Sequence, residues 1–254
     1  MADNVTVLIT GANRGIGLGL TELYLARPNH TVIAAVRDPS SPSSLSLDSL
    51  PAGKNSNLIL VKIDSTSETD PANAIKTIQA EGVNHLDIVI ANAGISEGYA
   101  RIEAIKTNEL RQFFEVNTIG PLILFGAAYP LLKAAADKKR AAPKFIGVTS
   151  ALSIISDVES SAAWDLGAYG VSKTALNFLV KRANAENDWL NAFVIDPGFA
   201  QTDMGNSGAR HFGMEQAFVS VKDSTEGMVK VIDNGTKESV SGKYMVYDGS
   251  ERPF

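Results

Sequence analysis

The stretch Val5-Thr6-Val7-Leu8-Ile9-Thr10-Gly11-Ala12-Asn13-Arg14-Gly15-Ile16-Gly17 decides the fold. Its apolar, β-branched first half predicts a buried strand, and the spacing of apolar residues after Gly15 predicts a helix. Gly11 permits a tight turn, Gly15 lets a phosphate approach the backbone, and Gly17 lets the helix pack close to the strand. Residues 5–17 therefore predict a strand, a phosphate-binding turn and a helix whose N-terminus faces the anion.

The alternation of strand and helix continues along the chain. Apolar runs predict further strands at Thr31–Arg37, Asn57–Lys62, Leu86–Ala91, Lys144–Ser150, Leu190–Asp196 and Lys243–Tyr247. Helices are predicted at Gly15–Ala26, Pro71–Glu81, Asn108–Ala136, Tyr169–Asn184 and Ser224–Asn234. Strands that are apolar throughout are buried on both faces, and their alternation with helices implies a parallel sheet. The prediction is a single α/β domain over residues 1–254, a Rossmann-type doubly wound sheet of about seven strands with helices on both faces.

Two segments depart from this alternation. Pro39–Ser56 is rich in serine and proline, which predicts a surface connection with one helical turn. Met204–Asp223 mixes glycine with large apolar side chains and is predicted to form a mobile flap with an apolar inner side. We expect residues 199–222 to include the substrate loop.

Composition narrows the classes of function. The chain has 254 residues, a formal net charge of −5 and no cysteine. The absence of cysteine excludes disulfides, thiolate catalysis and thiolate metal sites, and the three histidines lack metal-ligand spacing. The negative charge argues against a nucleic-acid partner. No basic N-terminal region precedes the first short apolar run, and no run approaches the roughly 18 apolar residues of a membrane span. We therefore expect a cytoplasmic protein with no metal and no membrane partner.

Two arginines indicate which dinucleotide fits the turn. Arg37 ends the second predicted strand, where the adenosine ribose should lie, and Arg14 lies within the turn. Val36 stands where a site for NAD usually has an acid that bonds the ribose 2′-hydroxyl. An arginine pairs well with a 2′-phosphate. This pattern favours NADP(H), and the competing interpretation is that Asp38 serves as the ribose acid.

Residues at the ends of two other predicted strands also face the cofactor. Asn92-Ala93-Gly94 follows the fourth strand, which with the first strand should flank the point where strand order reverses. Ligands bind in that crevice, and small residues there leave room for the cofactor. Asp64 and Ser65 follow the third strand and are placed to contact adenine, although both residue types are also common loop caps.

Tyr169 and Lys173 lie four residues apart on a predicted helix, so they share one helix face. A phenol has an ordinary pKa of about 10, and a nearby ammonium favours the phenolate. We therefore expect Lys173 to lower the pKa of Tyr169 so that it exchanges a proton near neutral pH. The pair alone is a common arrangement on solvated helices, and the phosphate turn is what favours the catalytic interpretation.

Taken in order, these motifs resemble the short-chain dehydrogenase/reductase family in its single-domain form. The matching residues are Thr10–Gly17, Asn92-Ala93-Gly94, Asn117, Ser150, Tyr169 with Lys173, and Pro197-Gly198 followed by Thr202. The resemblance is closest to the branch of carbonyl-reductase-like proteins and fungal ketoreductases of aromatic polyketides. The residues that indicate this branch are Asn13-Arg14, Val36–Pro39 and a long interval between Ser150 and Tyr169.

The resemblance implies a role for each matching residue. Tyr169 is expected to be the catalytic acid/base, and Lys173 its partner and a ligand of the nicotinamide ribose. Ser150 is expected to bond the substrate oxygen, and Asn117 to support a proton-relay water. The residues expected to hold the nicotinamide and its carboxamide are Pro197, Gly198 and Thr202.

The interval before Tyr169 departs from the family pattern. Tyr169 lies 19 residues after Ser150, whereas many members have a shorter interval that would select Ser156. Ser150 is preferred because it ends a predicted strand, while Ser156 lies in the loop Ala151–Leu166. Trp164 in that loop either walls an aromatic substrate or packs on its own loop. The same two interpretations stay open for Tyr99, Phe199, Phe212 and Phe218.

The resemblance implies an NADPH-dependent carbonyl reductase that transfers hydride to the ketone of an apolar substrate, with aromatic ketones among the candidates. Two alternatives remain: a redox-sensing regulator that binds NAD(P) without turnover, and an alcohol dehydrogenase that works in the oxidative direction. Family members commonly assemble as homodimers or homotetramers. Here the helices beginning near Asn108 and Tyr169 would form the interface.

Overall fold

The apolar segments of the chain pair into one sheet in the computed structural model, which describes residues 4–138 and 141–254. Its strands are β1 Val5–Thr10, β2 His30–Val36, β3 Asn57–Lys62, β4 Ile88–Ala91, β5 Lys144–Val148, β6 Asn191–Asp196, β7 Tyr244–Val246 and β8 Glu251–Arg252. The first seven pair in parallel, which confirms the predicted sheet. The eighth is antiparallel to β7, and its two exposed charged residues carry no apolar pattern that predicts a strand.

The strand order is β3-β2-β1-β4-β5-β6-β7-β8. The chain builds outward from β1 in one direction and from β4 in the other, so the order reverses between these two strands, as predicted. The carboxyl ends of β1 and β4, at Thr10 and Ala91, therefore border the crevice where α/β proteins bind ligands.

Helices cover both faces of the sheet. They are α1 Gly15–Leu25, α2 Pro42–Leu45, α3 Asp70–Ala80, α4 Thr107–Phe114, α5 Gly120–Asp137, α6 Val158–Ser161, α7 Gly167–Glu186, α8 Asp203–His211, α9 Val221–Asn234 and α10 Lys237–Val240. Alternate residues of each central strand point to opposite faces. One core packs against α3, α5 and α7, and the other packs against α1 and α9. The fold is doubly wound, as predicted.

The predicted helix Asn108–Ala136 is interrupted. A π-helical turn, Glu115–Ile119, separates α4 from α5 and contains the buried Asn117. The apolar spacing predicted one helix because the interruption preserves the helical direction. A π-turn inserts an extra residue and occurs mostly at functional sites.

The helical stretch Thr107–Asp137 is long and apolar enough, by length and composition, to cross a membrane. Within the structure its α5 part packs Leu124, Ala128 and Leu131 into the core beside the sheet. This is the arrangement of a core helix. The prediction about a signal peptide falls partly on residues 1–3, which lie outside the described residues.

Three segments contain more helix than predicted. Pro39–Ser56 holds α2 and a 3₁₀ turn, Ser46–Ser49. The predicted flap Met204–Asp223 is half helical, because α8 begins at Asp203 behind Thr202, whose Oγ1 accepts from Gly205 N at 3.0 Å. The interval before Tyr169 contains two 3₁₀ turns and α6. Such short turns depend on capping and tertiary contacts and leave little apolar periodicity.

Candidate active site

The phosphate turn has the backbone that its glycines were expected to allow. Gly11 and Gly15 have φ angles of +64° and +53°, and residues with a Cβ rarely adopt this backbone conformation. A Cβ on Gly17 would lie 2.0 Å from the carbonyl oxygen of Gly11. The first turn of α1 therefore packs directly on the loop that follows β1.

The N-terminus of α1 is open to an anion. Arg14 occupies the N-cap without a side-chain cap hydrogen bond, and the first turn has no acidic residue. The first N–H groups of a helix need an acceptor from outside the helix. Thr202 borders the same turn, because a Cβ on Gly15 would lie 3.0 Å from Thr202 Cγ2. These residues fit the pyrophosphate of a dinucleotide, because the positive end of the α1 dipole faces the site and no carboxylate competes for it.

Hydrogen bonds join the two sides of the crevice. The Asn92 side chain donates to the carbonyl of Thr10 at 2.8 Å. The backbone N–H groups of Asn92 and Ala93 donate to Thr10 Oγ1 at 3.0 and 3.1 Å. A Cβ on Gly94 would lie 3.2 Å from Asn117 Oδ1 and 3.3 Å from Lys173 Nζ. Glycine at this position leaves the space beside both polar groups open.

The end of β2 presents Arg37 on the surface, and Arg14 is also exposed. The carboxylate of Asp38 is engaged locally, because its Oδ1 accepts from the Ser40 hydroxyl at 2.6 Å and from Ser40 N at 2.9 Å. These bonds hold the pKa of Asp38 below its usual value. Asp38 is thus used in capping its own turn, which weakens its alternative role as the ribose acid.

Asn13 makes contacts that the sequence did not specify, and Asp64 makes those of the loop cap given above as its alternative role. Asn13 Nδ2 donates to the hydroxyl groups of Ser43 at 2.9 Å and Ser44 at 3.1 Å, which ties the phosphate turn to α2. Asp64 Oδ1 accepts from the backbone and hydroxyl of Thr66, as a loop cap would. Ser65 lies against Gly120 at the start of α5, since a Cβ there would be 3.0 Å from Ser65 Cβ.

Ser150, Tyr169 and Lys173 converge beyond the end of β5. Tyr169 lies in the first turn of α7, and the ammonium of the buried Lys173 donates to Val148 O at 2.8 Å. Lys173 Nζ lies 5.9 Å from the centre of the Tyr169 ring. Ser150 lies close enough to Tyr169 to lower the pKa of its phenol, although β5 ends two residues earlier than predicted, at Val148. Ser156 is exposed and directed toward Asp157, so Ser150 is the serine that the structure brings to the tyrosine.

Asn117 connects this group to the loop that follows β4. Its Oδ1 accepts from Ile95 N at 2.9 Å, and its Nδ2 donates to Ile95 O at 2.9 Å. The same Nδ2 donates to Ser172 Oγ at 3.0 Å, and Ser172 in turn donates to the carbonyl of Tyr169 at 2.7 Å. The π-turn therefore places Asn117 between the crevice and the helix that carries Tyr169.

The pKa of Tyr169 differs from the one expected from its spacing to Lys173. Burial raises the pKa of the Tyr169 phenol, the Ser150 hydrogen bond partly offsets this, and the charge of Asp196 raises the pKa further. Burial also lowers the pKa of Lys173 to about 8. The expectation that Lys173 lowers the tyrosine pKa is not met in this structure, because burial of the phenol outweighs the effects that favour the phenolate. Tyr169 is consequently a protonated hydrogen-bond donor at neutral pH.

Sequence reasoning missed Asp196 and Ser172. Asp196 is buried at the end of β6, where its Oδ1 accepts from Gly198 N at 2.8 Å and its Oδ2 from the Tyr244 hydroxyl at 3.3 Å. It shapes the Pro197-Gly198 turn, in which Gly198 has a φ of +73°. An acid two residues before a glycine at a strand end is a turn signal that was available. Ser172 could also have been identified, because it lies one helical turn after Tyr169.

Six rings meet near the carboxyl edge of the sheet and are called here the aromatic cover: Tyr99, Trp164, Phe199, His211, Phe212 and Phe218. Trp164 packs edge-on against Phe212 at 4.6 Å and Phe199 at 5.9 Å between ring centres. Tyr99 and His211 stack face to face at 3.8 Å. Trp164 thus packs beyond its own loop, and His211, to which no role was assigned, belongs to the cluster.

Comparisons with known proteins identify the family of the chain. Residues 5–211 match the family model described as short chain dehydrogenase. A norsolorinic acid ketoreductase of Dothistroma septosporum is 43% identical over 255 residues, which covers 100% of this chain and 94% of the relative. A norsolorinic acid ketoreductase of Emericella nidulans is 40% identical, covering 100% and 95%.

Solved structures show the same fold. The NADPH-bound carbonyl reductase from chicken fatty liver has a TM-score of 0.88 and 28% identity, covering 100% of this chain and 96% of that one. The carbonyl reductase Sniffer of D. melanogaster has a TM-score of 0.85 and 27% identity, covering 99% and 100%. The model match, the relatives and the shared architecture lead to one conclusion: the chain belongs to the short-chain dehydrogenase family.

Proposed function

We propose that this protein is an NADPH-dependent ketoreductase that reduces the carbonyl group of an apolar, aromatic ketone. The observation that carries the proposal is the convergence of Ser150, Tyr169 and Lys173 beside a phosphate turn with an open helix N-terminus. Two hydroxyl donors next to a dinucleotide site suit a reaction in which negative charge develops on a carbonyl oxygen.

The chain's own residues supply the proton chemistry. Ser150 and the protonated Tyr169 donate hydrogen bonds to the substrate oxygen, and Tyr169 transfers its proton as the alkoxide forms. We assign Lys173 and Asn117 to the return of a proton to the phenol. Lys173 Nζ lies 5.9 Å from the centre of the Tyr169 ring, and Asn117 is linked to the Tyr169 carbonyl through Ser172. Bound NADPH supplies the hydride.

Three observations support NADP(H) over NAD(H). Arg37 is exposed at the end of β2, and Val36 before it is buried and apolar. Asp38 is bonded within its own turn. The structurally similar chicken carbonyl reductase binds NADPH. We therefore assign Arg37, assisted by Arg14, to the 2′-phosphate.

The aromatic cover and the named activity of the fungal relatives both support an aromatic ketone as substrate. The proposed substrate loop, residues 199–222, supplies four of the six rings. Aromatic side chains contribute large apolar area to the binding of flat substrates.

The test is NADPH consumption with a panel of aromatic and aliphatic ketones, repeated with NADH. We expect turnover of aromatic ketones and a clear preference for NADPH in kcat/KM. Tight NADPH binding without reduction of any ketone would instead support a redox-sensing regulator. Alcohol oxidation with NAD faster than any ketone reduction would support a dehydrogenase.

We also propose that the protein forms a homodimer through α5 and α7. Exposed apolar side chains follow the outer faces of both helices: Leu122, Tyr129, Val171 and Phe178. A second copy would bury these two stripes together, which is how an apolar surface patch of this kind is usually satisfied.

A further inference from the structure

The aromatic cover is not part of the framework that holds the sheet together. None of its six residues lies in either of the two hydrophobic cores that the described residues form. Trp164, Phe199 and Phe212 are partly exposed, and Phe218 is 71% exposed. Exposed apolar clusters of this kind generally mark binding sites.

Three separate segments build the cover. Tyr99 follows β4, Trp164 precedes α7 by three residues, and Phe199 and Phe212 flank α8. A parallel bridge between Ala100 and Leu166 joins the first two segments. Because Leu166 precedes Tyr169 by one turn, this bridge fixes the cover relative to the catalytic tyrosine.

A buried ring continues the contact to Tyr169. The Phe113 ring is 2% exposed, and its centre lies 6.4 Å from that of Tyr169 in an edge-to-face arrangement. A Cβ on Gly98, next to Tyr99, would lie 3.2 Å from the Phe113 ring. The loop of Tyr99 therefore packs on a ring that contacts the catalytic tyrosine, and the cover borders the place where a substrate carbonyl would lie.

Most ring pairs in the cover are edge-to-face, which leaves ring faces available. Trp164 meets Phe212 at an interplanar angle of 63° and Phe199 at 88°. By contrast, Tyr99 and His211 are nearly parallel, at 11°, and join the loop after β4 to the end of α8. Their stack ties two sides of the cover together, while Trp164 carries the largest of the partly exposed rings.

We propose that Trp164 and Phe212 determine specificity for flat, fused-ring ketones, which bind with a ring face against Trp164. This inference rests on the proposed reductase function and deepens it. An aromatic ring stacked on an aromatic side chain is stabilised beyond the area that it buries. A non-planar aliphatic ketone makes no such contact, so the cover discriminates by ring planarity.

The two tryptophans of the chain allow a binding test that does not depend on turnover. Trp189 packs away from the cover, against Tyr129 at 5.3 Å, so Trp189→Phe leaves Trp164 as the sole tryptophan reporter. We expect fluorenone to quench this protein's fluorescence saturably, and cyclohexanone to leave it unchanged. The matched variant Trp164→Phe, which retains Trp189, should show only the unsaturable attenuation caused by absorption of light. Equal saturable quenching in both variants, or none in either, would overturn the inference.

Kinetics separate specificity from a structural role. We expect Trp164→Leu and Phe212→Leu to lower kcat/KM for fluorenone about tenfold while leaving cyclohexanone reduction within twofold. Trp164→Phe, which keeps an aromatic face, should retain most of the fluorenone activity. An equal loss with both ketones would contradict a specificity role. Reduction of both ketones without discrimination by the wild type would refute this inference and leave the reductase function standing. Saturable binding of fluorenone without any reduction would refute the reductase function instead.

Discussion

At the level of single residues, Lys173 is held in an environment that opposes its charge. It is 3% exposed, and burial lowers its pKa to about 8. The difference from an ordinary value of about 10.4 corresponds to roughly 3 kcal/mol against the folded state at neutral pH. Strained or destabilised groups of this kind are retained where function needs them.

Replacing Lys173 by methionine should therefore abolish ketone reduction and yet stabilise the fold. The folded protein binds fewer protons at this site than the unfolded chain between about pH 8 and pH 10.5, so the penalty is present below pH 8 and disappears as pH rises through that window. We expect Lys173→Met to raise the free energy of unfolding at pH 7 by about 1–2 kcal/mol, less than the full penalty because the bond to Val148 O is lost.

Urea unfolding of both proteins at pH 7 and pH 10 checks this expectation. The stability difference should shrink at the higher pH, and comparing the two proteins at each pH cancels the titration of other groups. A variant that is less stable than wild type at pH 7 would show that the ammonium stabilises the folded protein.

Arg37→Ala tests the cofactor assignment at the same scale. Loss of a charge-assisted bond to a 2′-phosphate should weaken NADPH binding roughly 10–100-fold and change NADH binding less than twofold. Fluorescence titration with both cofactors measures the two affinities. Arg182→Ala, which removes an exposed arginine paired with Glu186 on α7, is the matched control and should change neither. An equal loss of affinity for both cofactors would show that Arg37 does not bind the 2′-phosphate.

Residues in local motifs could be predicted from sequence, and residues with distant partners could not. The glycines of the phosphate turn and the pair Tyr169–Lys173 are specified by spacings of a few positions. The stack of Tyr99 on His211 joins residues more than a hundred positions apart, so neither residue alone indicated it. The raised tyrosine pKa was mispredicted for a related reason: burial is a tertiary property, whereas the i,i+4 spacing is local.

At the level of elements, alanine is expected to have opposite effects on stability at two helical glycines. A Cβ on Gly17 in α1 would overlap the Gly11 carbonyl, whereas a Cβ on Gly126 in α5 would meet no atom within 4 Å. Gly126→Ala should stabilise the monomer by about 0.5–1 kcal/mol, because alanine restricts the unfolded chain and favours the helix. Gly17→Ala should abolish NADPH binding and destabilise α1.

Chemical denaturation and NADPH titration of the two variants check this pair. Gly126→Ala should bind NADPH as the wild type does. Unchanged cofactor binding in Gly17→Ala would contradict the assigned phosphate turn.

Helix and strand positions were predicted where apolar periodicity is strong, and their interruptions were not. The π-turn in the helix predicted at Asn108–Ala136 depends on the bonds between Asn117 and the backbone of Ile95, 22 residues away. Similarly, α8 begins after the N-cap residue Thr202, in a glycine-containing segment for which the sequence predicts a flap. Capping and long-range bonds decide both features, and neither leaves a periodic pattern.

At the level of the whole molecule, the strand order brings the candidate site residues together at the carboxyl ends of the strands. The reversal between β1 and β4 follows from strand–helix alternation and right-handed crossovers, so it was predictable. The aromatic cover was not, because its rings come from three segments that meet only after the sheet is assembled.

The proposed dimer is a whole-molecule prediction. Light scattering coupled to size exclusion should give twice the monomer mass for the wild type, because the stripes on α5 and α7 are apolar and exposed. Phe178→Lys places a charge within the proposed interface, at its most exposed apolar residue, and should yield monomers. Phe218→Lys is the control, since Phe218 is equally exposed but lies in the aromatic cover. A monomeric wild type at all concentrations would refute the interface.

The most direct measurement is the single-turnover rate of ketone reduction by Tyr169→Phe with NADPH bound. This variant keeps the ring and removes only the hydroxyl that donates the proton. We predict that the rate falls at least about 100-fold while NADPH affinity stays within twofold, since general acid catalysis contributes factors of this size. Reduction at the wild-type rate by Tyr169→Phe would contradict the assignment of Tyr169 as the proton donor.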